Sequence, residues 1–278
     1  MSRIVVLVGA TSGLGRQAAK QLAAASHRLF LVGRSERRAA ELARELPDAT
    51  VIIADVSVLD GIERVARQIS AATDQVDVLI NNAGVMTRDR QTTAEGMELN
   101  LAVHHLAPWS MTTSLLPLMR PGARVVNVNS EGHRAPMRGG GIVTLDPDDP
   151  ASLQSERDFG TFRTYSRTKL ANLLFSYELR RRRPELTVAA LHPGMVRTDL
   201  GRQFPRLQVA AINALALSAR RGAEPVVRLA VGSDVDPGYY DRFTPVRSSA
   251  LSYDVALAGR LWAATEKLRG PMSPLGST

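Results

Sequence analysis

Short β-branched apolar runs recur along the chain, separated by longer stretches with helical spacing. "RIVVLVGA" (3–10), "HRLFLVGR" (27–34), "ATVIIADV" (49–56), "VDVLINNAG" (76–84), "ARVVNVNS" (123–130) and "LTVAALHPG" (186–194) read as strands apolar on both sides. Such strands suit a parallel sheet that is covered on both faces. Between them, "GRQAAKQLAAAS", "SERRAAELARELP" (ended by Pro47) and "LDGIERVARQISAA" predict helices. A long helix is expected over about 93–119, broken or bent near Pro108, and another over 163–183. "GAEPVVRLAVG" and "DVALAGRLWAATEKLR" complete the helices, with "PGYYDRF" a short strand or turn between them. Residues 131–160 read as irregular, rich in Gly, Pro and Asp.

Strand and helix alternate almost throughout, which predicts an α/β fold with a parallel sheet. Right-handed crossovers make it doubly wound, of Rossmann type. No Pro/Gly/Ser linker divides the chain and no internal repeat occurs. One domain over residues 1–270 is expected, with a substrate flap at about 195–222 and a disordered tail over 271–278.

Composition narrows the chemistry. The 278 residues are 44% hydrophobic and 22% charged, ample for one large core. Cysteine is absent, which excludes disulfides, thiol nucleophiles and thiolate metal sites. The five histidines form no H-E-x-x-H or other ligand pattern, so no metal is expected. The net charge of +8 raises nucleic-acid binding, but the densest basic run, Arg180–Arg183, precedes Pro184 and reads as a helix C-terminus. No nucleic-acid partner is expected. No segment approaches the ~18 apolar residues that a membrane span needs. "MSRIVVLVGATSG" runs straight into a strand without a cleavage-site pattern, so a cytoplasmic protein is expected.

Two stretches carry candidate chemistry. In "RTYSRTKLAN", Tyr165 and Lys169 lie one helical turn apart on the same face. In a cleft, the ammonium would favour phenolate and draw the phenol down from its usual ~10, giving a proton donor or acceptor near neutral pH. "VGATSGLGR" places Gly9, Gly13 and Gly15 between the first strand and the first helix. A tight turn, close backbone approach and free amides at a helix N-terminus are what a dinucleotide pyrophosphate requires. The second strand ends in "LVGRSERR", with Arg34 where an NAD site usually has an acid. A guanidinium pairs with a 2′-phosphate, so NADP is expected over NAD. Arg16, Arg37 and Arg38 are candidate helpers, although each reads first as a solvated helix residue.

With "GATSGLG", "NNAG", "RVVNVNS", "YSRTK" and "HPGMVRT" in this order, nearly the whole chain resembles the short-chain dehydrogenase/reductase family. "NNAGVM", "YSRTKLANLLFSYELRRR" and "LHPGMVRTDL" are most similar to its retinol-dehydrogenase-like branch, the group that also holds the catalytic domain of the WW-domain-containing oxidoreductase. The resemblance implies that Ser130 hydrogen-bonds the substrate oxygen, Tyr165 moves the proton, and Lys169 tunes the phenol and holds the nicotinamide ribose. It implies a cofactor site of Gly9, Ser12, Gly13, Leu14, Gly15 and Arg34, with Asp55 and Val56 against adenine. Asn82, Ala83 and Gly84 would lie beside the ribose, and Pro193, Gly194, Val196 and Thr198 at the nicotinamide end.

The implied activity is hydride transfer between NADP and a carbonyl or alcohol. The alternative is an NADP-binding regulatory protein with weak or lost catalysis. Met195, Leu200, Phe204, Leu207 and "VAAINALALSA" could line a lipophilic pocket or pack on the core. A homodimer or homotetramer is also implied, because "LANLLFSYEL" is apolar on more than one side.

The chain departs from the family pattern at three places. Val8 stands where Thr is usual, and "NVNS" replaces the more usual "NVSS". The family's relay asparagine falls on His104, with Asn100 one turn earlier. A histidine keeps the backbone carbonyl and adds a titratable ring, so activity with an altered relay is expected. Asp146, Asp148 and Asp149 read as a turn-rich loop rather than a calcium site.

Overall fold

The computed structural model describes residues 2–134, 145–197 and 216–270. Successive residues of β1 (Ile4–Val8) point to opposite faces of the sheet and enter different cores. Val5 and Leu7 pack with Ala18 and Leu22 of α1 (Gly13–Ala24), while Val6 and Val8 face the other core. The chain continues through β2 (Arg28–Gly33), α2 (Glu36–Glu45), β3 (Thr50–Ile53), α3 (Leu59–Ala72) and β4 (Val78–Asn81). A helical run then combines α4 (Leu99–Leu101), a π-helical turn (Ala102–Leu106) and α5 (Ala107–Leu115). β5 (Arg124–Val128), the single turn α6 (Pro150–Leu153), α7 (Thr161–Arg182) and β6 (Thr187–His192) follow. α8 (Ala219–Val231), β7 (Gly238–Asp241), β8 (Thr244–Pro245) and α9 (Val255–Arg269) complete the described residues.

The strands form one sheet in the order β3-β2-β1-β4-β5-β6-β7-β8. All neighbours pair in parallel except β8, which returns antiparallel to β7. One core holds Ile62 and Val65 of α3, Trp109 of α5 and Phe175 of α7; the other holds Leu22 of α1 and Val226 and Leu229 of α8. This is the expected single-domain, doubly wound α/β fold. The order in which strands are added switches from one side of β1 to the other between β3 and β4, and the strand C-termini at the β1/β4 switch point form the crevice where such folds bind ligands.

Several expectations are corrected. The helix predicted from about 93 begins at Leu99, because Glu98 accepts the amides of Asn100 and Leu101 and fixes the N-terminus there. Thr92 and Glu98 instead bridge across a turn containing Gly96, whose φ is +76°. Pro108 does not break the helix: it follows the π turn, where its missing N–H is tolerated. The region 131–160 contains a 3-10 turn at Glu131–Arg134 and the turn α6.

α7 is buried from Thr164 to Leu179 by groups of its own chain. Most of the predicted flap, including Leu200, Phe204 and Leu207, lies outside the described residues, as does the tail 271–278. Among the acidic loop residues, Asp148 pairs with Arg260 and Asp149 with Arg157. No helix among the described residues is long and apolar enough to cross a membrane.

Candidate active site

The glycine loop leaves the C-terminus of β1 and enters α1 at Gly13, with Ser12 as the N-cap in an extended conformation. Gly9 adopts φ +82°, a conformation that β-carbons disfavour, and its amide bonds to the Val32 carbonyl at 2.9 Å. Gly15 is required by proximity: a Cβ there would stand 2.1 Å from the Gly9 carbonyl oxygen and 2.4 Å from Asn82 Nδ2. Asn82 Nδ2 donates to that same carbonyl at 2.9 Å, so the β4 loop braces the phosphate loop. Leu14 is buried beneath it. The first amides of α1 have no intrahelical partners and carry the positive end of the helix dipole.

Arg34 immediately follows β2, is exposed, and forms no ion pair among the described residues. The candidate helpers are already engaged: Arg16 is paired with Glu45 and Glu41, and Arg37 with Glu41. Asp55 and Val56 lie past β3, where Asp55 Oδ1 accepts the Ser57 amide at 2.9 Å. Ala83 and Gly84 follow β4 at the switch point. Buried Pro193 and half-buried Gly194 follow β6, and Val196 pairs in parallel with Leu217. Thr198 lies outside the described residues.

The chemistry-bearing groups come from β5 and α7. Ser130 stands two residues past β5, and its hydroxyl hydrogen-bonds the Tyr165 phenol. Lys169 Nζ donates to the Val128 carbonyl at 3.0 Å and lies 5.7 Å from the centre of the Tyr165 ring. Both α7 side chains are buried, Tyr165 6% and Lys169 5% exposed. Burial pushes the Tyr165 phenol up, opposed by the Ser130 hydrogen bond, and pulls the Lys169 ammonium down to about 7. The expected lowering of the phenol by Lys169 is therefore outweighed within the protein, because burial penalises both charged forms.

The sequence reading missed the groups that hold this wall together. Asn129 Nδ2 donates to the Lys169 carbonyl at 3.0 Å and to Asn172 Oδ1 at 2.8 Å, while its Oδ1 accepts the Ser130 amide at 2.7 Å. Asn172 Nδ2 donates to the His104 carbonyl at 2.9 Å. Deeper in the sheet, Asn81 Nδ2 donates to Asn127 Oδ1 and Asn127 Nδ2 to Ser176 Oγ, each at 2.8 Å. Two signals were present in the sequence. Asn127 and Asn129 share one face of a strand, and Asn172 follows Lys169 by three positions on the helix. The usual serine would offer a single O–H in place of the two N–H donors of the Asn129 amide.

His104 is 1% exposed. Its Nε2 accepts the Val85 amide at 3.1 Å and its Nδ1 meets Thr168 Oγ1 at 2.9 Å. Burial, and secondarily Lys169, hold the ring well below the usual histidine range. The expected titratable ring is thus a neutral one.

Known proteins match this chain along its length. The short chain dehydrogenase family model matches residues 3–146. Human retinol dehydrogenase 13 is 32% identical, over 98% of this chain and 86% of its own. Human retinol dehydrogenase 12 is 31% identical, over 96% and 86%. A crystal structure of an uncharacterised protein from Mycobacterium paratuberculosis superposes with a TM-score of 0.77 at 28% identity, covering 99% of this chain and 95% of that one. The Pseudomonas aeruginosa RhlG/NADP active-site complex shares the fold, with a TM-score of 0.68 at 20% identity over 90% and 96% of the two chains. The sheet order, the glycine loop at its switch point and these matches agree, and the chain belongs to the short-chain dehydrogenase/reductase family, as an oxidoreductase of its retinol-dehydrogenase-like branch.

Proposed function

We propose that the protein is an NADP-dependent carbonyl reductase or alcohol dehydrogenase acting on a lipophilic substrate, with Tyr165 as its acid and base. The observation that carries this reading is the convergence of Ser130, Tyr165 and Lys169 on one wall beside the glycine loop's crevice. The loop fits a dinucleotide: Gly9 and Gly15 leave no room for a Cβ, and the amides of α1 open toward the crevice. Arg34, which follows β2 and has no ion pair among the described residues, suits the 2′-phosphate of NADP. Relatives of this fold have been solved with NADP, among them RhlG and a short chain dehydrogenase from Burkholderia cenocepacia. A bound nicotinamide supplies or accepts the hydride.

The chain's own residues handle the oxygen and its proton. Ser130 donates to the substrate oxygen and steadies it. Tyr165, kept protonated at neutral pH by burial, gives its proton to that oxygen as the carbonyl is reduced. Lys169 stabilises the phenolate that remains, and the wall excludes water around the pair. Met195, 55% exposed just beyond Gly194, supplies apolar surface at the mouth.

The test is NADPH absorbance against a panel of lipophilic ketones and aldehydes, with Tyr165→Phe as control. Turnover by the wild type alone supports the reading. Equal inertness of both proteins, with NADPH still bound, favours a regulatory nucleotide-binding role instead. Arg34→Ala should weaken NADPH and leave NADH unchanged; equal affinities in the wild type would refute the cofactor assignment.

A further inference from the structure

We propose that His104 is a positioning residue: its neutral imidazole clamps the loop after β4 to the catalytic helix α7. The clamp sets the spacing between the cofactor-ribose wall and the Tyr165–Lys169 pair. The inference rests on the hydride-transfer reading above.

The hydrogen positions follow from the partners. Thr168 Oγ1 donates its single proton to the Tyr165 carbonyl at 3.0 Å. It must therefore accept from His104, which places the imidazole proton on Nδ1. The Val85 amide donates to Nε2, so that nitrogen carries a lone pair. A second ring proton would face the Val85 N–H directly and would add a cation beside Lys169. Tyr165, in edge contact at 5.3 Å, and Lys169 are the titratable groups facing the ring among the described residues.

The clamp has a second fastening. The His104 carbonyl accepts from Asn172, one turn beyond Thr168 on α7. Pro108, four residues after His104, has no N–H to compete for that carbonyl. At the other end, Val85 directly follows Asn82–Gly84, and Asn82 holds the Gly9 carbonyl. A continuous line of contacts and chain thus runs from the phosphate loop through Asn82, Val85 and His104 to the helix bearing Tyr165 and Lys169.

A histidine that merely filled space would not need both nitrogens. Two variants separate its arms. His104→Gln keeps an acceptor at the reach of Nε2 and loses the donor to Thr168. His104→Asn keeps a donor near Nδ1 and falls short of Val85. The Gln variant should retain the NADPH KM and lose kcat, and the Asn variant should raise the NADPH KM and retain more of kcat. His104→Leu should lose both, with kcat/KM down roughly 100-fold, the scale of a ~1 Å misplacement.

His104→Leu combined with Thr168→Val should be no worse than the poorer single variant, since both cut the same link. Nitrogen-15 NMR of the wild type should show the Nδ1–H tautomer without titration between about pH 6 and 8, the range where an unperturbed imidazole changes charge. Folded His104→Leu with wild-type kcat and KM, strictly additive effects, or a titrating His104 would each overturn the proposal. If His104→Leu does not fold, Val85→Pro deletes the same amide donor and should raise the NADPH KM; an unchanged KM counts against the clamp. Wild-type inertness toward every carbonyl would sink the catalytic reading alone, because the tautomer and NADPH affinity are measured without turnover.

Discussion

The phosphate loop and the catalytic wall stand at the same, C-terminal end of the central strands and are built by opposite means. The loop depends on missing atoms: Gly15 has no Cβ because the Gly9 carbonyl and Asn82 occupy that space. Its requirements lie within a short local stretch plus one bracing asparagine. The wall depends on added atoms, with Asn129, Asn172, Thr168 and His104 joining segments far apart in sequence. The loop should therefore fail when atoms are inserted, and the wall when they are removed.

The largest effect should come from the wall's reacting group. Tyr165→Phe should lower kcat by about 10²–10⁴, the usual contribution of general acid catalysis, while fluorescence titration shows unchanged NADPH binding. Loss of binding as well would mean that the two regions are not separable. Next is Gly15→Ala, whose new Cβ would sit 2.1 Å from the Gly9 carbonyl oxygen and force the loop to move. NADPH affinity should fall at least about tenfold, or ~1.4 kcal/mol, while turnover at saturating cofactor falls less.

Lys169 sharpens the comparison through stability. Burial lowers its pKa to about 7, below the ~10.4 of an exposed lysine. Between those values the unfolded chain binds more protons, so stability rises with pH across that window. The penalty for burying the ammonium is full below about pH 7. Lys169→Met should remove this slope and raise the melting temperature at neutral pH, with the difference shrinking toward pH 10. Equal slopes for both proteins would contradict the burial of the amine.

Asn129→Ser should be the mildest. It removes the donors to Lys169 and Asn172 and should cost about 1–3 kcal/mol in urea unfolding, lowering kcat without weakening NADPH.

The same contrast explains what the sequence revealed. The glycine loop, Arg34 and the one-turn spacing of Tyr165 and Lys169 are local patterns, and the chain keeps them in place. Six of the eight strands, β1 to β6, were also legible as short, largely apolar runs, whereas β7 read as a strand or turn and the two-residue β8 gave no pattern. The start of the helix at Leu99 was not, since it is set by Glu98 turning its buried carboxylate onto two amides. Nor was the state of His104, whose partners Val85 and Thr168 lie 19 and 64 residues away. The role of Asn129 was not legible either, because its amide joins Lys169 and Asn172, 40 and 43 residues away.

Transfer of label tests the hydride-transfer reading most directly. NADPH deuterated at the reactive nicotinamide carbon should be incubated with the wild type and a lipophilic ketone, and the product weighed by mass spectrometry. An alcohol carrying one deuterium on the former carbonyl carbon, formed about 10²–10⁴ times more slowly with Tyr165→Phe, is the expected result. Bound nucleotide with no deuterium in any product, across the whole carbonyl panel, would contradict it.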